Sequence, residues 1–452
     1  MDRVSQSFYN INDFGAVNDG ETLNTKAINE AIQACSEDGG GTVYIPSGRF
    51  LTGAVLLKSN IHLYLDAGAC LTFTNDVNEY PVVTSRWEGV KKEVYASCLY
   101  AENAENISVT GHGILDGNGE FWWKLFRMNE NKYPRPKLVS FDTCKHVLID
   151  GVKMVDSPSW TVNPICCEDV TVHNVSILNP ADSPNTDGIN PESCRNVRIS
   201  DCHIDVGDDC IAIKSGTEDT PTRVPCENIT ITNCTMVHGH GGVVLGSEMS
   251  GDIRNVTVMN CVFEGTDRGI RLKSRRGRGG VVEDVRISNI VMNGVICPFI
   301  ANLYYYCGPK GKDKYVYDKN PYPITEETPQ FRRIHFSHIT AREVSAAAGF
   351  LYGLAERYVE DITFDYVTVA MAEDAEPGLP AMMAGLEPMK QRGFFCSNAA
   401  NIRFNHVTVE NHTGPAFLVE NAHNIELSNC RSKNPKEKTD PLYEFNNVTL
   451  ID

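Results

Sequence analysis

Four short polar clusters carry the residues of this 452-residue chain whose types and spacing are best suited to chemistry. They are Asn185-Thr186-Asp187-Gly188, Gly207-Asp208-Asp209-Cys210, Gly239-His240-Gly241-Gly242 and Arg271-Leu272-Lys273. Three carboxylates close together suit hydrolysis of a glycosidic bond. One carboxyl, kept protonated by repulsion from its neighbours, gives a proton to the departing oxygen, and another, ionised, activates water. Inversion at the sugar carbon calls for carboxyls about 6.5–9.5 Å apart with water between them, and Asp187 and Asp208 are the pair expected to meet it. Each cluster alone also has an ordinary reading: an Asx turn, a solvated Asp-Asp turn, a loop histidine, a solvated cationic face. Their spacing argues against four coincidences, since 21, 31 and 31 residues separate Asp187, Asp208–Asp209, His240 and Arg271.

Those intervals match a repeat that runs through most of the chain. NVRISDCHI (196–204), NITITNCTM (228–236), NVTVMNCVF (255–263) and DVRISNIVM (284–292) share one pattern. Further copies start at 106, 146, 169, 333, 361, 401 and 424, which makes eleven units spaced 23 to 49 residues apart. Apolar residues fall at offsets +1, +3, +6 and +8. The first pair has the period of a strand with one buried face, and the parity then flips, so the chain must bend near +4 and +5 before a second strand. Strand, corner, strand at this spacing predicts an all-β, right-handed parallel β-helix in a single domain over 1–452, with one coil per repeat. The four clusters then fall on successive coils and line a groove about 15 Å long, at about 4.8 Å per coil. Segments 117–137, 308–330 and 370–394 read as loops inserted at corners. Residues 24–35 place Ala27, Ile28, Ala31, Ile32 and Cys35 on one helical face. This predicts a short helix, N-capped by Asn24 or Thr25, that covers the edge of the first coil.

Composition narrows the classes. The net charge of −17 excludes a general nucleic-acid or anionic-membrane binder, whose surface would be basic. The first twenty residues contain no apolar targeting core and no apolar run is long enough to span a membrane, so a cytoplasmic location is the expectation. The 16 cysteines then read as reduced thiols. Cys202, Cys234, Cys261 and Cys430 occupy offset +6, where other copies carry Val or Ile, and are expected to fill the core. No cysteine or histidine spacing suggests a metal site, and no cofactor is expected.

The ordered set Asn185-x-Asp187, Asp208-Asp209, Gly239-His240-Gly241 and Arg271-x-Lys273 resembles the signature of glycoside hydrolase family 28, the polygalacturonases. The likeness extends to DFGAVNDG (13–20), GGGTVYIPSGRFLTG (39–53), LKSN (57–60) and GILDGNG (113–119). By position it implies Asp208 as general acid and Asp187 with Asp209 as the pair that holds and activates the attacking water. His240 is implied to tune the carboxylates and the sugar, and Asn185 to shape the site. Arg271 and Lys273 are implied to clamp a galacturonate carboxylate beside the scissile bond, as guanidinium geometry suits. A tyrosine of the family corresponds to one of Tyr304, Tyr305 or Tyr306.

Both the histidine motif and the second aspartate are retained, which favours a polygalacturonate bond over a rhamnogalacturonan one. The long loop with Trp122-Trp123, SEMSG (247–251) and SRRGRGG (274–280) resembles bacterial exo-acting members, because loops that close one end of a groove make a pocket that releases terminal units. Arg275, Arg276 and Arg278 are expected either to hold further substrate carboxylates or to form a solvated basic loop. An endo-acting enzyme, a calcium-dependent pectate lyase on a β-helix and a non-catalytic adhesin are the competing readings. The expected partner is an acidic oligosaccharide or polysaccharide, with neither nucleic acid nor membrane.

Overall fold

The structure is a computed structural model and describes residues 8–306, 308 and 310–450. The chain divides into two compact units, one ending at Asp209 and one beginning at Cys210. Both are built of parallel β-helix coils, and the repeat explains why. In all eleven copies the first residue is left-handed. The φ values run from 53° to 60° over Asn106, His146, Asp169 and Asn196 in the first unit and Asn228, Asn255, Asp284, Arg333, Asp361, Asn401 and Asn424 in the second. The residue at +5 is left-handed too: Gly111, Gly151, Asn174 and Asp201, then Asn233, Asn260, Asn289, His338, Tyr366, His406 and Asn429. Gly, Asn and Asp tolerate this region best, which is why they recur at these two places. The expected bend is therefore a left-handed residue that turns the second strand onto a new face.

Corresponding residues of successive coils pair in register. Ile107 pairs with Val147, Val147 with Val170 and Val170 with Val197. In the second unit Val256 pairs with Val285, Val285 with Ile334 and Ile334 with Ile362. All of these side chains are buried, so each core is a set of aliphatic columns. Polar ladders run along the corners: the Asn255 amide donates to Asn228 at 3.1 Å, and that of Asn424 to Asn401 at 2.9 Å. Cys202, Cys234 and Cys261 are buried at their +6 positions, Cys430 is half-buried, and the described cysteines are all free thiols.

The helix Thr25–Glu37 buries Ala27, Ile28, Ala31, Ile32 and Cys35, the expected face, and packs against the strand Gly41–Ile45. Asn24 precedes it but caps nothing with its side chain. Its amide accepts from Val17 N and donates to the Val17, Thr22 and Leu51 carbonyls, tying three segments together. Of the inserted loops, 117–137 contains a helix, Glu120–Met128, and 308–330 a single helical turn, Lys314–Tyr317. A further insertion was not anticipated. Val82–Trp87 and Val90–Tyr95 form an antiparallel hairpin, turning at Glu88 and Gly89 with φ of 51° and 77°. Its signal was available as an X-Gly pair between two β-prone runs.

Candidate active site

In the first unit Asp187, Asp208 and Asp209 converge. One carboxylate oxygen from each lies within 4.8 Å of the other two; Asp187 and Asp209 are buried and Asp208 is half-buried. Local structure produces this convergence. Asn185 is left-handed (φ 54°) and turns the chain, after which the buried Thr186 hydroxyl accepts from Gly207 N at 3.3 Å and meets the Ser183 hydroxyl at 2.6 Å. Gly207 is required there: a Cβ would sit 2.5 Å from the Ser183 carbonyl oxygen and 2.6 Å from that of Pro180. Gly188 N donates to the Asp209 carbonyl at 3.0 Å, which locks the coil of Asp187 to that of Asp209. The Asn190 amide donates to Asp187 Oδ2 at 2.9 Å, and Asp208 Oδ1 accepts from Asp209 N at 2.9 Å.

The closest oxygens are nearer than the expected separation between carboxyls. Oxygens up to 4.8 Å apart still accommodate one water between them at hydrogen bonds of about 2.8 Å. The cluster can therefore hold a water on two carboxylates while the third, the more exposed Asp208, meets an incoming oxygen.

Sequence reasoning missed Arg135. It is 1% exposed, and its guanidinium donates to Asn185 Oδ1 at 2.8 Å and to the Pro158 and Pro184 carbonyls. Burial draws it down to about 10, against the opposing pull of Asp187, Glu88 and Asp208. Nothing in its local sequence, PRPK, marks it out. Trp122 and Trp123 are buried supports: Trp122 packs edge-on against Tyr80 and Tyr95, and Trp123 Nε1 donates to the Ser157 carbonyl at 2.9 Å.

In the second unit Arg271 and Lys273 lie on the strand Arg268–Lys273, with the core residue Leu272 between them. Both cations face the Tyr305 ring, at 5.7 and 5.3 Å from its centroid. Arg271 Nη2 also meets Met382 Sδ at 3.1 Å, from the 370–394 insertion. Below them Lys214 pairs with Glu248 at 3.2 Å, both largely buried. Burial works to raise the Glu248 pKa, but Lys214, Arg278 and Lys273 together outweigh it and hold it at about 2. His240 is exposed, and the last glycine of its cluster has a structural reason: at Gly242 a Cβ would lie 2.7 Å from the Phe263 ring.

The remaining expectations are corrected. Tyr304 is turned away from the cationic pair: it is 1% exposed, with Arg276 and Lys319 over its ring. Tyr305 is the tyrosine beside Arg271 and Lys273. Arg275 and Arg276 form neither a solvated loop nor a free clamp. Arg275 pairs with Glu218 at 2.8 Å; Arg276, fully buried, is bidentate to Glu356 at 2.6 and 2.7 Å and donates to three carbonyls. Both guanidiniums draw their carboxylates from residues distant in sequence, Glu218 and Glu356.

The sequence model of Glycosyl hydrolases family 28 matches residues 35–372. A probable polygalacturonase of Vitis vinifera is 34% identical over 376 residues, 80% of this chain and 74% of that protein. An endo-polygalacturonase of Pectobacterium carotovorum subsp. carotovorum is 31% identical over 298 residues, 62% of this chain and 72% of its own length. Among solved structures, a hyperthermoactive exopolygalacturonase from Thermotoga maritima superposes with a TM-score of 0.72 at 32% identity, over 88% of this chain and 92% of that one. With the coils and the carboxylate cluster already in place, this chain belongs to family 28 of the glycosyl hydrolases and is a glycosidase.

Proposed function

We propose that the protein hydrolyses α-1,4-galacturonosyl bonds of pectin-derived galacturonides with inversion, acting from the non-reducing end. The observation that carries this reading is the convergence of Asp187, Asp208 and Asp209 within 4.8 Å in a family 28 chain. In it, Asp208 protonates the glycosidic oxygen, and Asp187 and Asp209 orient and deprotonate a water that attacks the anomeric carbon. His240 tunes the protonation of these groups and contacts the sugar. Arg271 and Lys273, backed by Tyr305, hold a substrate carboxylate.

Action from the chain end is supported by the likeness to the exopolygalacturonase from Thermotoga maritima, 32% identical over 88% of this chain. Product analysis on trigalacturonate, polygalacturonate and rhamnogalacturonan oligomers, with and without EDTA, tests the reading. Short products released from the first minutes, new reducing ends without an unsaturated product, and indifference to EDTA are expected. Random mid-chain cleavage would refute the exo mode, and an unsaturated product would refute hydrolysis.

A further inference from the structure

Phe126 stands apart from the helix face that carries it. In Glu120–Met128 the residues Trp122, Trp123 and Phe126 have the spacing of one helical face. Trp122 is fully buried and Trp123 is 6% exposed, yet Phe126, one turn further on, is 44% exposed. A large ring left in water at the end of an otherwise buried face forgoes the burial its neighbours gain, which is the mark of a surface kept for contact.

The ring is held in place. The buried guanidinium of Arg135 lies over one face, 4.1 Å from the ring centroid, so the exposure belongs to the rest of the ring. Nη2 of the same guanidinium donates to Asn185 Oδ1 at 2.8 Å, and Nη1 to the Pro184 carbonyl at 2.9 Å. At the helix end Arg127 Nη2 donates to the Asp182 carbonyl at 2.8 Å and meets Asp182 Oδ2 at 3.2 Å. The helix is thereby tied at two points to the turn 180–185 that leads into Asp187.

The insertion also leaves the coils at the corner that matters. It ends just before Leu138, and Val139 pairs with Val162, which in turn meets Ile189. The corner that carries the helix is therefore the one that carries Asp187 two coils later, about 10 Å away at the spacing of parallel strands.

An exposed aromatic ring beside these carboxylates suits one kind of contact. Aromatic faces are electron-rich and attract the weakly positive C–H groups of a pyranose. In the galacto configuration O4 is axial, which leaves C3–H, C4–H and C5–H together on one side of the sugar. That side is apolar and can lie flat on Phe126 while the carboxylate and hydroxyls point elsewhere.

We infer that Phe126 is a substrate-contacting residue, the platform on which the apolar side of a galacturonate unit rests beside Asp187, Asp208 and Asp209. Arg135 backs the ring and also fixes Asn185, so one guanidinium sets both platform and site. This rests on the galacturonide-hydrolase reading and adds to it an apolar contact supplied by an insertion and not by the repeat.

Steady-state kinetics on trigalacturonate test the platform. It binds ground state and transition state alike, so Phe126→Ala should raise KM about tenfold and leave kcat within about twofold. Phe126→Leu keeps apolar bulk over Arg135 without an aromatic face and should lose most of the same affinity. Phe126→Tyr keeps the face and should stay within about twofold of the unaltered enzyme. An unchanged KM in Phe126→Ala or Phe126→Leu, or a Phe126→Tyr enzyme as weak as Phe126→Ala, overturns the inference. So does a fall in kcat at constant KM, which would mean that the ring acts only by holding Arg135 and Asn185. Calorimetric titration of trigalacturonate into Asp208→Asn protein, with and without Phe126→Ala, separates the platform from the hydrolase reading. Binding about tenfold weaker in the double variant sustains the platform even where the unaltered enzyme releases no product, a result that refutes hydrolysis alone. Equal Kd values, or no binding by either protein, overturn it.

Discussion

The Asn190 side-chain amide donates to Asp187 Oδ2 at 2.9 Å, in a coil where Asn190 is completely buried and Asp187 is 3% exposed. The bond orients the Asp187 carboxylate, one oxygen of which lies within 4.8 Å of an oxygen of Asp208 and of Asp209. Replacing Asn190 by Ala removes the hydrogen bond that aims this carboxylate. Hydrogen bonds to charged groups contribute about 1.5–3 kcal/mol, so kcat should fall about 10- to 100-fold while KM changes little. Steady-state kinetics on trigalacturonate measure both. A change confined to KM would mean that Asn190 acts on binding and not on Asp187.

Asp208 is the most exposed of the three carboxylates and the one proposed to donate the proton. Asp208→Asn keeps its shape and removes the acid, so a loss of about 10²–10⁴-fold in rate is expected. The melting temperature should be nearly unaffected, because Asn keeps the size of the side chain and can still accept the bond from Asp209 N. A variant retaining a tenth of the rate would exclude Asp208 as the acid.

Inversion predicts that the first product seen by proton NMR is the β-anomer of the new reducing end, followed by slow mutarotation to the α form. The close approach of the carboxylates makes this test informative, since separations of about 5 Å are those of retaining enzymes. An initial α-anomer would show that one aspartate attacks the sugar directly.

Glu248 lies under the cationic pair and is held at about 2, well below its ordinary value of 4.5. A carboxyl depressed by folding contributes stability that is complete above its unfolded pKa and is lost as pH falls towards its folded one. Glu248→Gln leaves the buried Lys214 without this counter-charge and should cost about 3–5 kcal/mol near neutral pH. The melting-temperature deficit of the variant should be largest above about pH 5 and shrink as pH falls towards 2. A deficit independent of pH would assign the loss to packing.

Much of the fold was legible because coil geometry is local. The parity flip between +3 and +6 requires a bend, and Asn, Asp or Gly at +5 gives the left-handed residue that makes it, as Asn174, Asp201 and Asn233 do. The capping helix followed from its apolar face for the same reason. Its Asn24, read as a cap, went instead to Val17, Thr22 and Leu51, because those carbonyls come from segments whose proximity no helical pattern encodes. The hairpin Val82–Tyr95 belongs to no repeat and passed unnoticed beside one.

By itself the sequence determined the coil, the apolar columns and the convergence of Asp187, Asp208 and Asp209. Periodic strands in register carry residues one coil apart to neighbouring places, whatever the loops do. The partners of the charged side chains were decided only in three dimensions. Arg276, in a run of arginines that reads as substrate-facing, is neutralised by Glu356 eighty residues away. Lys137 and Arg135, unremarkable in sequence, are buried beneath the hairpin and among the described residues are held by carbonyls and amide oxygens and not by an ion pair. Desolvation separates these outcomes. It depends on which insertion covers a guanidinium or an amine and on whether that insertion brings a carboxylate, and neither is written in the spacing of residues along a coil.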